Sequence, residues 1–251
     1  MAFDRLLMEE VREGRWDFVL RVYGWDPACV SVGKLQNPDR EVDRSSLSAA
    51  GIGLVRRPTG GRAVWHQGEV TYSVTARMDH PMVSGPVSEA LKKVAQPLAD
   101  AVRRLGIPVS LGPSERHHVA GPREPANPCF TSHGRWEVGA MDGRKLIGSA
   151  QARSRGVFLE HGSILMENDQ VRLLEHLPSP ISPSAARRLR EHLTEGIATL
   201  REFIPNLEIG EVERSLFQSF STVLDGGLQK ADTSLLEGPL LNRLTEEQEV
   251  V

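Results

Sequence analysis

A basic, glycine-containing segment runs from Arg56 to His66 and reads RRPTGGRAVWH. Glycine reaches positive φ angles and carries no side chain, so backbone amides in such a loop can approach a carbonyl, a phosphate or a thioester closely. An arginine beside the loop can hold an anion. The same composition is also typical of a tight turn between two strands with arginines on the surface. Taken alone, the segment leaves both interpretations open.

A second segment, Asp142–Gln151, reads DGRKLIGSAQ and leads into the strand-like VFLEHGSIL that begins at Val157. Asp142-Gly143 is a hairpin turn signal. A lysine that directly follows such a turn is usually a solvated charge, so Lys145 by itself indicates little about function. It becomes a candidate only in combination with the glycine loop.

The two cysteines, Cys29 and Cys129, are too few for a disulfide framework and lack the paired spacing of a zinc site. A thiolate is the natural nucleophile for a thioester, because the exchange conserves the type of bond. Cations nearby would have to lower its pKa from about 8.5. A free cysteine is equally often a small apolar core residue. Cys29 lies inside a strand pattern and is predicted to belong to the core.

The elements that must position these residues follow from hydrophobic periodicity and turn signals. We predict a short first helix and a final helix at 211–223, and a hairpin or adjacent strand pair formed by 16–25 and 29–32. Strands at 53–57 and 63–76 would flank the glycine turn. The remaining predictions are a helix at 87–105, a hairpin at Asp142-Gly143, a strand at 157–166, and a helix from Ser182-Pro183 through Phe203.

This order predicts an α+β fold with a central mixed, mostly antiparallel sheet flanked by helices. It lacks regular βαβ alternation, which disfavours a Rossmann fold. We predict one catalytic domain over 1–251 and make no structural prediction for 112–128 and 226–251.

The formal net charge of −3 and the pI near 6.3 give no overall attraction to nucleic acid or to an anionic membrane. The first residues do not read as a secretory signal, and no apolar run approaches the roughly 20 residues that span a bilayer. We therefore expect a cytoplasmic protein. His117-His118 lacks carboxylates at a suitable spacing, so no metal site is expected.

Four linked blocks, RRPTGGRAVWH, VTYSV, GRKLIGSAQ and FLEHGSIL, resemble the signature of the lipoate protein ligase and octanoyltransferase catalytic domain, over roughly Met1 to Phe220. Cys129 is similar to the cysteine of the Gram-positive-type octanoyltransferase branch. The resemblance implies a pocket for a medium-length acyl chain. It assigns catalytic roles to Cys129 and Lys145, and a pocket lined by Arg56, Arg57, Gly60, Gly61, Arg62, His66, Gly148, Ser149, Ala150, His161 and Gly162.

Within this family, ligases activate free lipoate with ATP, whereas octanoyltransferases use an acyl thioester and need no nucleotide. Three features favour the transferase: the GGR sequence that ends at Arg62, the short stretch after Phe220, and Cys129. The resemblance then implies acyl carrier protein as donor, a lipoyl domain or the glycine cleavage H protein as acceptor, and no required cofactor.

We expect the Cys129 thiolate to attack the octanoyl thioester and then pass the chain to a lysine amine, while Lys145 polarises the carbonyl. Amides near Gly148 or Gly60-Gly61 would complete the oxyanion site. For His161 we favour a positioning role, and the role of His66 stays open. Three alternatives remain: an ATP- and Mg-dependent ligase, an amidotransferase between lipoyl-carrier proteins, and a non-catalytic binding subunit.

Overall fold

The computed structural model describes residues 1–112, 136–178 and 182–231. The strands are β1 (Phe18–Tyr23), β2 (Cys29–Val32), β3 (Gly53–Arg56), β4 (Val64–His66), β5 (Glu69–Arg77), β6 (Val109–Leu111), β7 (Val138–Ala140), β8 (Ile147–Ser154) and β9 (Val157–Leu165). The helices are α1 (Ala2–Arg12), α2 (Pro38–Glu41), α3 (Arg44–Ala49), α4 (Val87–Arg104), α5 (Pro183–Glu195), α6 (Leu200–Phe203) and α7 (Ile209–Val223), with a 3-10 helix at Gln170–His176.

The larger sheet is antiparallel and has the strand order β1-β5-β9-β8. Alternate residues of β5, among them Tyr72 and Val74, belong to the main hydrophobic core with α4 and α7. The residues between them, such as Ser73, point to the opposite face, against which α1 packs. His161 is paired with Ser73 on β5 and with Ala150 on β8, and directly paired residues share a face. The polar face therefore carries His161.

The smaller sheet has the order β3-β2-β4, with β3 parallel and β4 antiparallel to β2. The strands on either side of the glycine loop therefore both pair with β2, and the hairpin interpretation of that loop is wrong. The predicted strand at 63–76 is divided into β4 and β5, which belong to different sheets. The predicted pairing of 16–25 with 29–32 is also wrong, because β1 joins the larger sheet and β2 the smaller one.

The turn at Asp142-Gly143 is confirmed. Gly143 adopts a φ of 88°. Its amide donates to the carbonyl of Ala140 at 2.9 Å, and the amide of Ala140 donates to the carbonyl of Arg144 at 2.8 Å. The short ribbon of β6 and β7 precedes this turn. Of the expected helices, 87–105 is observed as α4 and 211–223 as α7, within two residues at each boundary.

The helix predicted from Pro183 to Phe203 begins as expected, with the Ser182 hydroxyl accepting a hydrogen bond from the amide of Ala185. It does not continue as predicted. It ends at Glu195, and the segment that follows pairs with Lys145: the Lys145 amide donates to the carbonyl of Gly196, and the amide of Ala198 donates to the carbonyl of Lys145, both at 2.9 Å. Tertiary pairing therefore replaces helical hydrogen bonds at this point.

The α+β fold class, with its predominantly antiparallel sheet and flanking helices, is confirmed. In the part of the chain that the structure describes, strands form two sheets and a ribbon rather than one continuous sheet. None of the described helices is long and apolar enough to cross a membrane.

Candidate functional site

A small cavity lies where the polar face of the larger sheet meets β4 and the glycine loop. Its volume is about 30 Å³. Seven of the residues predicted to contact substrate line it, namely Arg57, His66, Gly148, Ser149, Ala150, His161 and Gly162. Met1, Val64, Thr71 and Ser163 complete the lining. Sequence blocks that lie far apart in the chain therefore converge on one cavity. Arg56, Gly60, Gly61, Arg62 and Lys145 were also predicted for the site and do not line this cavity.

The glycine loop is held from inside by Arg57, which is only 4% exposed. One guanidinium nitrogen donates to the carbonyl and the hydroxyl of Ser31, at 2.9 and 2.6 Å. The other donates to the carbonyls of Gly60 and Arg62, at 3.2 and 2.7 Å. The planar five-donor fork of arginine suits this arrangement, which a lysine could not reproduce. Arg57 thus fixes the shape of the loop.

The loop also packs tightly against the segment after β2. Gly61 has a φ of 97°, and a Cβ atom added to Gly33 would lie 2.1 Å from the carbonyl oxygen of Gly61. Glycine is therefore required at both positions, for backbone conformation at one and for space at the other. Arg56 donates to the carbonyls of Gly33, Lys34 and Gln36 and so ties down the same segment.

His161 belongs to a buried series of hydrogen bonds that begins at Asp4 on α1. Its Nδ1 lies 3.3 Å from Asp4 Oδ2, and its Nε2 lies 2.6 Å from the Thr59 hydroxyl in the glycine loop. Burial lowers the pKa of His161, although Asp4 opposes this. Burial alone would raise the pKa of Asp4, but the hydrogen bond from His161 and the charge of Arg21 hold it well below its ordinary value. We therefore assign a neutral imidazole that donates from Nδ1 to Asp4 and accepts from Thr59.

His66 belongs to a second series of the same kind. Its Nδ1 lies 2.7 Å from Glu69 Oε1, its Nε2 lies 2.5 Å from the Ser31 hydroxyl, and its ring stacks on Trp25 at 4.4 Å. Arg57 has only donors, so the Ser31 oxygen accepts from it, and the hydroxyl hydrogen of Ser31 can still point at His66. We assign the tautomer in which Nδ1 donates to the Glu69 carboxylate, which can only accept, and Nε2 accepts from Ser31. Both histidines are held by a carboxylate on one side and a hydroxyl on the other.

Lys145 is 2% exposed and directs its ammonium at Glu137, with Nζ 2.7 Å from Oε1. An exposed lysine after a turn, which is the usual case, is therefore excluded here. Four residues after Lys145, Ser149 of β8 lines the cavity, and its hydroxyl lies 2.7 Å from the hydroxyl of Tyr72. Tyr72 is also 3.1 Å from Glu160, and burial raises the pKa of Glu160 to about 8.

Of the two cysteines, Cys29 lies in β2, is 5% exposed and fits the predicted core role. Burial raises the pKa of its thiol to about 12, which makes it a poor nucleophile. Cys129 lies outside the described residues, as does the pair His117-His118. The nucleophile assignment therefore stays a prediction.

Sequence reasoning missed the partners of the site residues: Asp4, Ser31, Thr59, Glu69 and Glu137. A polar residue in a helix turn or a strand gives no local sign that it will face a histidine from elsewhere in the chain. Only Asp4 had a usable signal, since a carboxylate on the apolar face of α1, beside buried Leu7, requires a partner.

The sequence model of the family described as Lipoyl protein ligase A/B catalytic domain matches residues 1–221. Among curated proteins, the chain is 39% identical to Octanoyltransferase LipM of Kyrpidia tusciae, over 94% of this chain and 86% of that protein. It is 36% identical to Octanoyltransferase LipM of Moorella thermoacetica, over 94% and 88% of the two chains. The corresponding protein of Bacillus subtilis is 32% identical, over 98% and 89%.

Solved structures that share the fold include two lipoate protein ligases. A lipoate-protein ligase A bound with ATP superposes with a TM-score of 0.71 at 24% identity, covering 100% of this chain and 90% of that one. A bi-partite lipoate protein ligase from Thermoplasma acidophilum gives a TM-score of 0.72 at 21% identity, covering 99% and 89%. At these identities the likeness concerns the fold alone.

Proposed function

The chain belongs to the lipoyl protein ligase A/B catalytic domain family, and from this premise we propose that it is an octanoyltransferase of protein lipoylation. The observation that carries the proposal is the similarity to proteins named Octanoyltransferase LipM over nearly the whole length of both chains. An octanoyl group would move from a thioester to a lysine amine on a lipoyl-carrier domain. The enzyme is accordingly an acyltransferase.

The reaction we propose has two steps. The Cys129 thiolate attacks the carbonyl of the octanoyl thioester, the donor thiolate leaves and takes up a proton, and an acyl-enzyme thioester remains. The neutral amine of the acceptor lysine then attacks that thioester, loses a proton, and expels the Cys129 thiolate. The product is an amide. Each step exchanges one acyl bond for another, and the conversion of thioester to amide is downhill, so no ATP is consumed.

The buried ammonium of Lys145 fits the role of the cation in this reaction. A positive charge in a site shielded from water acts strongly on a developing oxyanion and on a neighbouring thiolate, because little solvent screens it. Backbone amides near Gly148 would add hydrogen bonds to the oxyanion, each worth about 3 to 4 kcal/mol in well-studied enzymes.

The residues around the cavity support a positioning role for the two histidines. His66 and His161 are both buried, and each has both ring nitrogens engaged with groups of the protein. The hydrogen bonds of His66 lead to Ser31, which accepts from Arg57, and those of His161 lead to Thr59 in the glycine loop. We therefore propose that these hydrogen bonds hold the walls of the acyl site in place.

For the substrates we propose octanoyl acyl carrier protein as the donor and a lipoyl domain or the glycine cleavage H protein as the acceptor. The relatives' name specifies the octanoyl group but neither carrier. Neither ATP nor Mg is required in this scheme, and both would be required of a ligase. Reaction from a second octanoylated carrier protein would instead identify an amidotransferase.

The test is octanoyl transfer from acyl carrier protein to an apo lipoyl domain without ATP, with the acyl-enzyme detected by intact mass. Wild type should transfer the chain and form an adduct at Cys129. Cys129→Ser should lose both, and Lys145→Ala should slow both. Cys29→Ser is the matched control, since Cys29 is a buried core thiol, and it should retain the adduct and the transfer.

Three results would contradict the proposal in different ways. An adduct on Cys29 rather than Cys129 would show that the wrong nucleophile has been assigned. Transfer that requires ATP and free lipoate, and survives in Cys129→Ser, would identify a ligase. Activity only from an octanoylated glycine cleavage H protein would identify an amidotransferase.

A further inference from the structure

We propose that Glu137 is a positioning residue that holds the ammonium of Lys145 at the acyl site. The inference deepens the proposed function, since it assumes that Lys145 supplies the cation of the transfer reaction. Glu137 lies directly before β7 and contacts Lys145 across the turn formed by Asp142-Gly143.

The contact is a buried ion pair. Lys145 Nζ lies 2.7 Å from Glu137 Oε1, and the side chains of the two residues are 2% and 11% exposed. At this distance and burial, the attraction between the charges is much less screened than at a surface. Removing one partner of such a pair takes away a large part of the compensation for the other charge in the interior, which is costly. Lys145 is therefore expected to change position when Glu137 is neutralised.

The backbone of Lys145 is fixed by hydrogen bonds, and its ammonium is fixed by Glu137. Its backbone amide and carbonyl are hydrogen-bonded to Gly196 and Ala198, and it forms an antiparallel bridge with Gly139. Between this backbone and the ammonium lies a flexible four-carbon stem with substantial rotamer entropy. The carboxylate of Glu137 orders that stem in advance of substrate binding, which spares the reaction the cost of doing so.

Glu137 also lies within electrostatic reach of the cavity wall. Burial and then the charge of Glu160 raise the pKa of Tyr72, and the charge of Glu137 adds to the rise. The Tyr72 hydroxyl in turn contacts Ser149, which lines the cavity. The ion pair therefore lies within electrostatic reach of a tyrosine whose hydroxyl contacts a residue of the cavity wall.

An adjacent ion pair provides a matched control. Arg144, the residue before Lys145, contacts Glu202 at 2.7 Å, but their side chains are 27% and 40% exposed. Exposed pairs contribute little to stability and hold no buried charge. Glu202→Gln therefore makes the same chemical change as Glu137→Gln, at the partner of the residue that precedes Lys145, without touching the proposed mechanism.

The experiment is a double-mutant cycle on octanoyl transfer, with rates of acyl-enzyme formation measured in a single turnover. Glu137→Gln should slow acyl-enzyme formation roughly 10- to 100-fold, the loss typical of removing a group that orients a functional side chain. The KM for the lipoyl domain should change little. In a Lys145→Ala background, Glu137→Gln should have an effect of less than about 2-fold, because there is no ammonium left to position. Glu137→Asp should recover part of the rate, and Glu202→Gln should match wild type.

Equal losses from Glu137→Gln in the wild-type and Lys145→Ala backgrounds would overturn the inference, since Glu137 would then act independently of Lys145. So would full activity of Glu137→Gln. Thermal unfolding of each variant identifies loss of rate that comes from misfolding. If Glu137→Gln does not fold, Glu137→Asp, which retains the carboxylate, is compared with wild type in both backgrounds instead. If wild type proves inactive without ATP, the proposed function fails, and the same cycle run with ATP and lipoate tests the Glu137 inference separately.

Discussion

Gly162 and Tyr72 face each other on paired strands at a distance that leaves no room for a side chain. A Cβ atom at Gly162 would lie 2.7 Å from the Tyr72 ring and 2.3 Å from the carbonyl oxygen of Gly148. Real Cβ atoms do not approach other atoms this closely, and the carbonyl belongs to the backbone of β8. The glycine of the FLEHGSIL block therefore has a packing role beside the cavity.

Gly162→Ala should lower the free energy of unfolding by about 1 to 3 kcal/mol, the usual cost of inserting a methyl group into a packed interior. Urea denaturation followed by circular dichroism measures this. Gly24→Ala is the control, since a Cβ there meets no atom within 4 Å. Equal stability of the two variants would show that β8 and β9 separate without cost.

Asp4→Asn should destabilise the protein by about 3 kcal/mol at pH 7, because a buried carboxylate that accepts from Arg21 and Ser73 and contacts His161 is neutralised. The pKa of Asp4 is held below its ordinary value of 3.8, so its contribution is complete above about pH 4. The contribution is lost as the pH falls toward the folded-state pKa.

The difference in unfolding free energy between wild type and Asp4→Asn should therefore narrow below pH 4. Denaturation curves between pH 3 and pH 7 measure the effect. Asp79→Asn, which removes an exposed carboxylate beside Arg77, should change stability little at any of these pH values. A difference for Asp4→Asn that is independent of pH would contradict the ionised state assigned to Asp4.

Glu160→Gln should raise the free energy of unfolding at neutral pH, whereas Asp4→Asn lowers it. Burial raises the pKa of Glu160 from 4.5 to about 8, so the folded state holds a proton that the unfolded state releases. Folding stability then falls as pH rises between these two values, by at most about 1.4 kcal/mol per pH unit. Glutamine remains neutral and can still accept from Tyr72.

The difference in free energy of unfolding between Glu160→Gln and wild type should grow from about pH 4.5 to pH 8 and stay constant above that. Thermal or urea unfolding across this range measures it. Tyr72→Phe removes the hydroxyl contact but not the buried carboxyl, and so should leave a pH-dependent loss in place. A variant that is less stable than wild type at pH 8 would show that Glu160 is ionised in the fold.

Arg57→Ala should destabilise the protein by about 3 to 5 kcal/mol, because it leaves the carbonyls of Ser31, Gly60 and Arg62 without their buried donor. Arg57→Lys should recover only part of this loss, since an ammonium cannot reach both sides of the loop. Thermal unfolding measures both, with Arg188→Ala on the exposed surface of α5 as control. A fully stable Arg57→Ala variant would mean that the loop is held by other contacts.

Local sequence patterns predicted the elements that depend on neighbouring residues. The Ser182-Pro183 helix start, the helices at 87–105 and 211–223, and the turn at Asp142-Gly143 were all correct, because caps, periodicity and turn geometry are decided within a few residues. Linked blocks also identified the family and several residues that line the cavity. Strand pairing was predicted poorly, since β1 and β2 are adjacent in sequence yet join different sheets.

The sequence by itself determined the α+β class, the family and the placement of chemically active residue types in ordered blocks. Only the tertiary structure decided what each of these residues contacts. Asp4 and His161 are separated by 157 positions, and no local pattern specifies their contact. The same holds for Lys145, which its local sequence context indicates as a solvated charge and which the fold buries against Glu137. The physical reason is that burial and ion pairing depend on which distant strands meet, and that is settled by packing of the whole chain.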